Sequence, residues 1–158
     1  VRELIVVPQS SPANGSASMQ QQQGNNFRYA RFGPGSERTT TIYVGGGDGV
    51  VASATVRDHN DGALEVTAKR NIGEPVCGLS LIDAKAGSVL VGSGKGTTFR
   101  VTCDPSVKNV SAGIERWCDA VEAAHDLIVP HPSAPEVAVT AGRDGVLRQW
   151  ELNTYRVT

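Results

Sequence analysis

Two glycine-rich stretches, Gly45-Gly-Gly-Asp-Gly49 and Gly92-Ser-Gly-Lys-Gly-Thr97, have the composition of loops that wrap a phosphate. Such a loop works between a strand and a helix, because successive backbone N–H groups and the helix N-terminus hold the anion together. Here Lys95 is followed by Gly96 and then by a β-branched run with no helix signal, so both stretches are predicted to be hairpin turns. His59, His125 and His131 lack any metal-ligand spacing and are expected on the surface or in loops. Ser80, His125 and Asp144 supply the residue types of a hydrolytic triad, but no Gly-x-Ser-x-Gly elbow accompanies them. The three cysteines, Cys77, Cys103 and Cys118, are an odd number without a Cys-x-x-Cys pair, which predicts reduced, buried thiols in the cytosol and no zinc site. No catalytic group, cofactor or metal is therefore expected.

The remaining polar residues have plainer readings. Asp48, Asp58, Asp61 and Asp144 stand beside glycine, where a carboxylate accepts backbone hydrogen bonds and stabilises a turn. Arg28, Arg31, Lys69, Arg70, Arg143 and Arg148 are read as solvated strand faces, the alternative being an acidic partner such as a tubulin surface.

The elements that position these residues are strands. Glu136 to Thr154 contains two alternating runs, Val137 with Val139 and Val146 with Trp150, around a Gly-Arg-Asp-Gly turn. Ile42 to Val51 and Val89 to Phe99 repeat that layout, and the closing glycines Gly49, Gly96 and Gly145 fall 47 and 49 residues apart. Gly45, Gly92 and Gly142 are taken as the opening glycines of the same turns. A hairpin recurring at that period marks a propeller-type array in which each repeat forms one four-stranded sheet. The fold expected is all-β, with about three blades: 27–70, 71–116, and 117–158 incomplete at its C-terminal end. In the second blade the outer strand is placed near Lys108 to Ile114, and Gly33-Pro-Gly35 is expected to end the first strand of the first blade. Residues 1–8 read as a strand of a preceding blade, and 9–26, with its Gln20 to Gln23 run, as a flexible Gln/Ser/Gly-rich loop.

With 158 residues, 39% hydrophobic and 20% charged, the composition is globular. A net charge of −1 and scattered basic residues disfavour nucleic acid, and no apolar run is long enough for a membrane. Because the chain begins at Val1 and three blades cannot close a ring, it is expected to be a segment of a larger propeller or to be completed by another chain.

The third unit resembles a WD repeat: Pro130 ends a strand, Thr140-Ala-Gly-Arg-Asp-Gly145 forms the turn, and Trp150-Glu151 stands where Trp-Asp is usual. The resemblance implies that Thr140, Asp144 and Trp150 form a structural hydrogen-bond network. The histidine of that network would fall on Trp117 or Cys118, so the network is expected to lack it. From Thr41 to Val157 the order Val44-Gly-Gly-Gly-Asp-Gly49, Val76-Cys-Gly-Leu-Ser-Leu81, Leu90 to Val101, Cys118-Asp-Ala-Val-Glu122 and Asp126-Leu-Ile-Val-Pro130 is similar to the cilia- and flagella-associated WD-repeat proteins of the doublet-microtubule lumen. That family implies two seven-bladed propellers, a cytoskeletal location in the axoneme, no catalysis, and tubulin with neighbouring luminal proteins as partners. Echinoderm-microtubule-associated-like proteins and other cytoplasmic WD-repeat adaptors share the pattern, and an enzyme built on a propeller is the remaining alternative.

Overall fold

A computed structural model describes residues 27–36, 39–57, 64–83, 85–109, 111–118, 123–134, 136–152 and 156–157. The predicted strand at 1–8 and loop at 9–26 lie outside them, as do His59, Asp58 and Asp61. Among the described residues twelve strands form three antiparallel four-stranded sheets, each with its strands in chain order. No α-helix occurs among the described residues; one 3₁₀ turn spans Ser111–Gly113.

The first sheet is β1 (Phe27–Ser36), β2 (Thr39–Gly46), β3 (Val50–Arg57) and β4 (Leu64–Asn71). The second is β5 (Val76–Asp83), β6 (Ser88–Ser93), β7 (Thr98–Thr102) and β8 (Ile114–Cys118). The third is β9 (His125–Pro130), β10 (Val137–Gly142), β11 (Leu147–Glu151) and the two-residue β12 (Arg156–Val157). The arrangement is consistent with propeller-like blades: the first strand of each later sheet, β5 or β9, lies against the first two strands of the sheet before it.

Two strand expectations are corrected. Gly33-Pro-Gly35 does not end β1, because pairing slips between Phe32 and Gly35 and resumes at Gly35 with Thr40. Pro34, which has no N–H to donate, falls in that irregularity. The outer strand of the second sheet is not near Lys108 to Ile114; it begins at Ile114, opposite Val101, and runs through Trp117 to Cys118, which pairs with Thr98. Arg70 explains part of the delay. Buried at 5% exposure, it donates from Nη2 to the Val107 carbonyl at 2.7 Å and so holds the chain after β7 in a turn.

Each inner strand also carries the same slip near its start. Phe27 faces Gly46 but Tyr29 faces Gly45; Val76 faces Ser93 but Gly78 faces Gly92; Gly142 faces His125 but Ala141 faces Leu127. A bulge therefore sits at Arg28, Cys77 and Asp126, and it turns the residue before it toward the preceding sheet, or the corresponding side in the first.

Two cores fill the joints. Tyr43, Val51 and Ala68 of the first sheet pack with Val76, Leu79, Val89, Val91, Phe99, Val101 and Cys103 of the second. Leu90 of the second packs with Ile128, Ala138, Trp150 and Leu152 of the third. Burial pushes the Cys103 thiol up to about 11, which keeps it protonated and inert at neutral pH.

Candidate functional site

The three hairpin turns share one geometry. The N–H of Gly49, Gly96 and Gly145 donates to the carbonyl of Gly46, Ser93 and Gly142 at 3.1, 3.1 and 3.0 Å. These closing glycines have φ of 82°, 80° and 76°, a left-handed region that costs side-chain-bearing residues energy. Asp48 and Asp144 accept the N–H of Val50 and Val146 at 3.2 and 3.1 Å, which is turn chemistry.

The second turn disposes of the phosphate-loop resemblance. Ser93 Oγ accepts the N–H of Lys95 and Thr97 at 3.1 and 3.0 Å and donates to Glu74 at 2.5 Å. Loop amides that would hold an anion are thus already occupied, a carboxylate stands beneath them, and a strand follows.

Gly45 and Gly92 are not turn glycines. They lie within β2 and β6, and their role is close approach between sheets. A Cβ on Gly45 would stand 2.6 Å from Val76 Cγ1, and one on Gly92 would stand 2.7 Å from His125 Cβ. Val76 and His125 are equivalent residues, each preceding the bulge of its inner strand. Gly142 ends β10, where an added Cβ would meet Asp144 Oδ1 at 2.5 Å.

That equivalence explains why His125 is buried rather than at the surface as expected. Its ring is fully enclosed and meets Trp150 edge-on, with ring centroids 5.7 Å apart. Among the described residues neither ring nitrogen makes a hydrogen bond. Burial holds its pKa below the ordinary histidine value, opposed by the Gly96 backbone. A histidine therefore lies beside Trp150 after all, although it neither bonds Thr140 nor Asp144. Trp150 donates from Nε1 to Thr140 Oγ1 at 2.8 Å, and both residues are buried. Asp144 instead pairs with Arg148 at 2.6 Å, and this partner and the Val146 N–H hold its carboxyl low. Ser80, half-buried on β5, has no hydrogen bond to His125, so the three triad residue types form no relay.

The bulged residues make a row along one end of the stack. Arg28 lies over Gly47, Cys77 over Gly94, and Asp126 pairs with Arg143 at 2.9 Å, each reaching the turn of its own sheet. Arg28, Asp126 and Arg143 are exposed, while Cys77 is half-buried and burial raises its thiol pKa. His131 is exposed, and its Nδ1 accepts the Ala134 N–H at 3.0 Å. Among the described residues no three His, Cys, Asp or Glu side chains converge on a metal position. Sequence reasoning missed the buried histidine, because His125, like Val76, precedes a bulge that only the strand register reveals.

A scan against protein-family models finds no match, and no curated protein matches the chain.

Proposed function

We propose that this chain is a run of WD-type propeller blades serving as a non-catalytic scaffold for other proteins. Its setting in this reading is the lumen of ciliary or flagellar doublet microtubules, with tubulin and neighbouring luminal proteins as partners. The observation that carries the scaffold reading is the joint built twice on one plan, with a glycine on the second strand of one sheet receiving the pre-bulge residue of the next, Val76 or His125. Reiterating one joint extends a surface without converging nucleophile, base and oxyanion donors on one point. The Thr140–Trp150 hydrogen bond is the contact the WD pattern assigns to those residues. Support for the axonemal setting is the order of motifs between Thr41 and Val157.

The experiment is cross-linking mass spectrometry on axonemes from ciliated cells carrying the tagged protein. Cross-links to tubulin in a salt-resistant fraction are expected; a protein released with the soluble cytoplasm and never linked to tubulin would refute the axonemal setting. The blade reading has its own test, since residues 27–158 expressed alone should not give a soluble monomer that unfolds cooperatively.

A further inference from the structure

The joint between the first and second sheets is tightly closed at one end only. Toward the hairpin turns Gly45, Val51 and Ala68 abut the apolar core. At the opposite end Thr41, Tyr43, Ser53, Thr55 and Thr67 line a cleft of about 270 Å³, with Lys85 and Asp104 also on its wall. Thr41 pairs with Thr55 across β2 and β3, and Tyr43 with Ser53, so these four hydroxyls share one face of the sheet.

Ser53 and Thr67 are both satisfied: their hydroxyls lie 2.8 Å apart, and the carbonyls of Cys103 and Ser53, at 3.0 and 3.1 Å, are the other acceptors that share their two protons. Tyr43 is different. The residue is 3% exposed, and its hydroxyl, which lies beside Gly87 on the cleft wall, makes no hydrogen bond to a described residue. That hydroxyl is free to donate and to accept in the cleft, where a close-packed joint would ordinarily place apolar side chains. The Lys85 ammonium likewise has no ion-pair partner among the described residues. Asp104 accepts the Ser106 N–H at 2.8 Å and stays ionised, so the rim carries one charge of each sign.

We propose that this cleft receives a primary carboxamide, the side chain of a glutamine or asparagine on a partner protein. A carboxamide offers two donors and one acceptor, which matches hydroxyls able to do either. Being neutral, it avoids the desolvation that an ammonium or carboxylate would incur, and with one charge of each sign the rim gives neither of those a net electrostatic advantage. Pro34 and Pro105 supply apolar walls for the methylene stem. That the carboxamide belongs to a protein rests on the scaffold reading; the chemistry of the cleft does not.

The test is a titration of the intact protein, ¹⁵N-labelled at glycine and cysteine, with N-acetylglutamine methylamide, beside the corresponding glutamate and lysine derivatives, followed through the amide shifts of Gly87 and Cys103. Saturable shifts are expected with the glutamine derivative, and affinity at least about tenfold lower for the two charged ones. Tyr43→Phe, which keeps the ring volume, should weaken binding about tenfold, and Thr55→Val serves as a second variant should Tyr43→Phe disturb the fold. Absence of saturation, equal affinity for a charged derivative, or binding unchanged in the folded variants would overturn the proposal. None of those results bears on tubulin cross-links, so the scaffold reading stands or falls separately.

Discussion

Replacing Gly92 by alanine would place a methyl group 2.7 Å from His125 Cβ and 3.0 Å from the His125 carbonyl oxygen. The second contact is with backbone, and the first is with an atom rigidly attached to it, so no rotamer change relieves either. β9 must move away from β6, which opens the joint that Leu90, Ile128 and Trp150 fill. Overpacking of this kind costs about 1–3 kcal/mol. Gly94→Ala is the matched control. Its Cβ would meet Cys77 Sγ and Pro75 Cβ at 3.4 Å, an ordinary contact, and Gly94 is not among the positive-φ glycines. Restricting the unfolded chain there should stabilise by about 0.4–1 kcal/mol. In the intact protein the two variants should differ in melting temperature by circular dichroism, with Gly92→Ala the lower. Gly45→Ala should fall between them, because its nearest neighbour is a Val76 methyl that can give slightly. Equal melting of Gly92→Ala and Gly94→Ala would refute the idea that β6 needs glycine for the approach of β9.

Trp150→Ala should cost about 3–5 kcal/mol in urea denaturation and lower partner binding with it, whereas Trp150→Phe should lose chiefly the bond to Thr140, about 1 kcal/mol. His125 has a folded-state pKa below its unfolded value near 6.5, so the unfolded chain takes up protons first. Its contribution is fully present above pH 6.5 and lost as pH falls below it; denaturation midpoints at pH 7.5 and 5.5 should differ, and His125→Leu should flatten the difference. Asp144, Asp104 and Asp83, all held below 3.8, add acid sensitivity only at lower pH. Lys95→Ala should change stability by less than about 0.5 kcal/mol, and calorimetry should detect no nucleotide binding before or after; ATP or GTP binding abolished by the substitution would overturn the scaffold reading.

The hairpins were legible in the sequence because their determinants are local. A glycine that must adopt positive φ, an aspartate two residues from the N–H it accepts, and alternating apolar residues all announce themselves within ten residues. What depends on register was not legible. His125 alternates with Leu127 and Val129, so period two would place it with them on the outer face; the bulge at Asp126 reverses it, and nothing in the composition of His-Asp-Leu marks a bulge. β8 escaped for a related reason. Val107, Val110 and Ile114 are all plausible starts for an apolar strand, and part of the choice lies with Arg70, distant in sequence, which binds the carbonyl of Val107. Gly45 and Gly92 look like turn residues beside turn residues, and only the neighbouring sheet distinguishes the two roles.

A sheet laid over the third would meet a surface unlike those of the first two. Across β1, β2 and β3 the row facing the second sheet is Tyr29, Gly45, Val51; across β5, β6 and β7 the row facing the third is Gly78, Gly92, Thr98. The equivalent row of the third sheet is Leu127, Ala141, Leu147, and its leucines are 49% and 72% exposed. Val129 and Val139 continue this apolar face, so its chemistry suits burial against another sheet. Its geometry differs from the two joints already formed, because the methyl of Ala141 occupies the space where Gly45 and Gly92 admit Val76 and His125. A following sheet of the same repeat can seat here only by standing farther off or by placing glycine at its pre-bulge position, where a Cβ would otherwise come as close to Ala141 as the built contacts at Gly45 and Gly92 do.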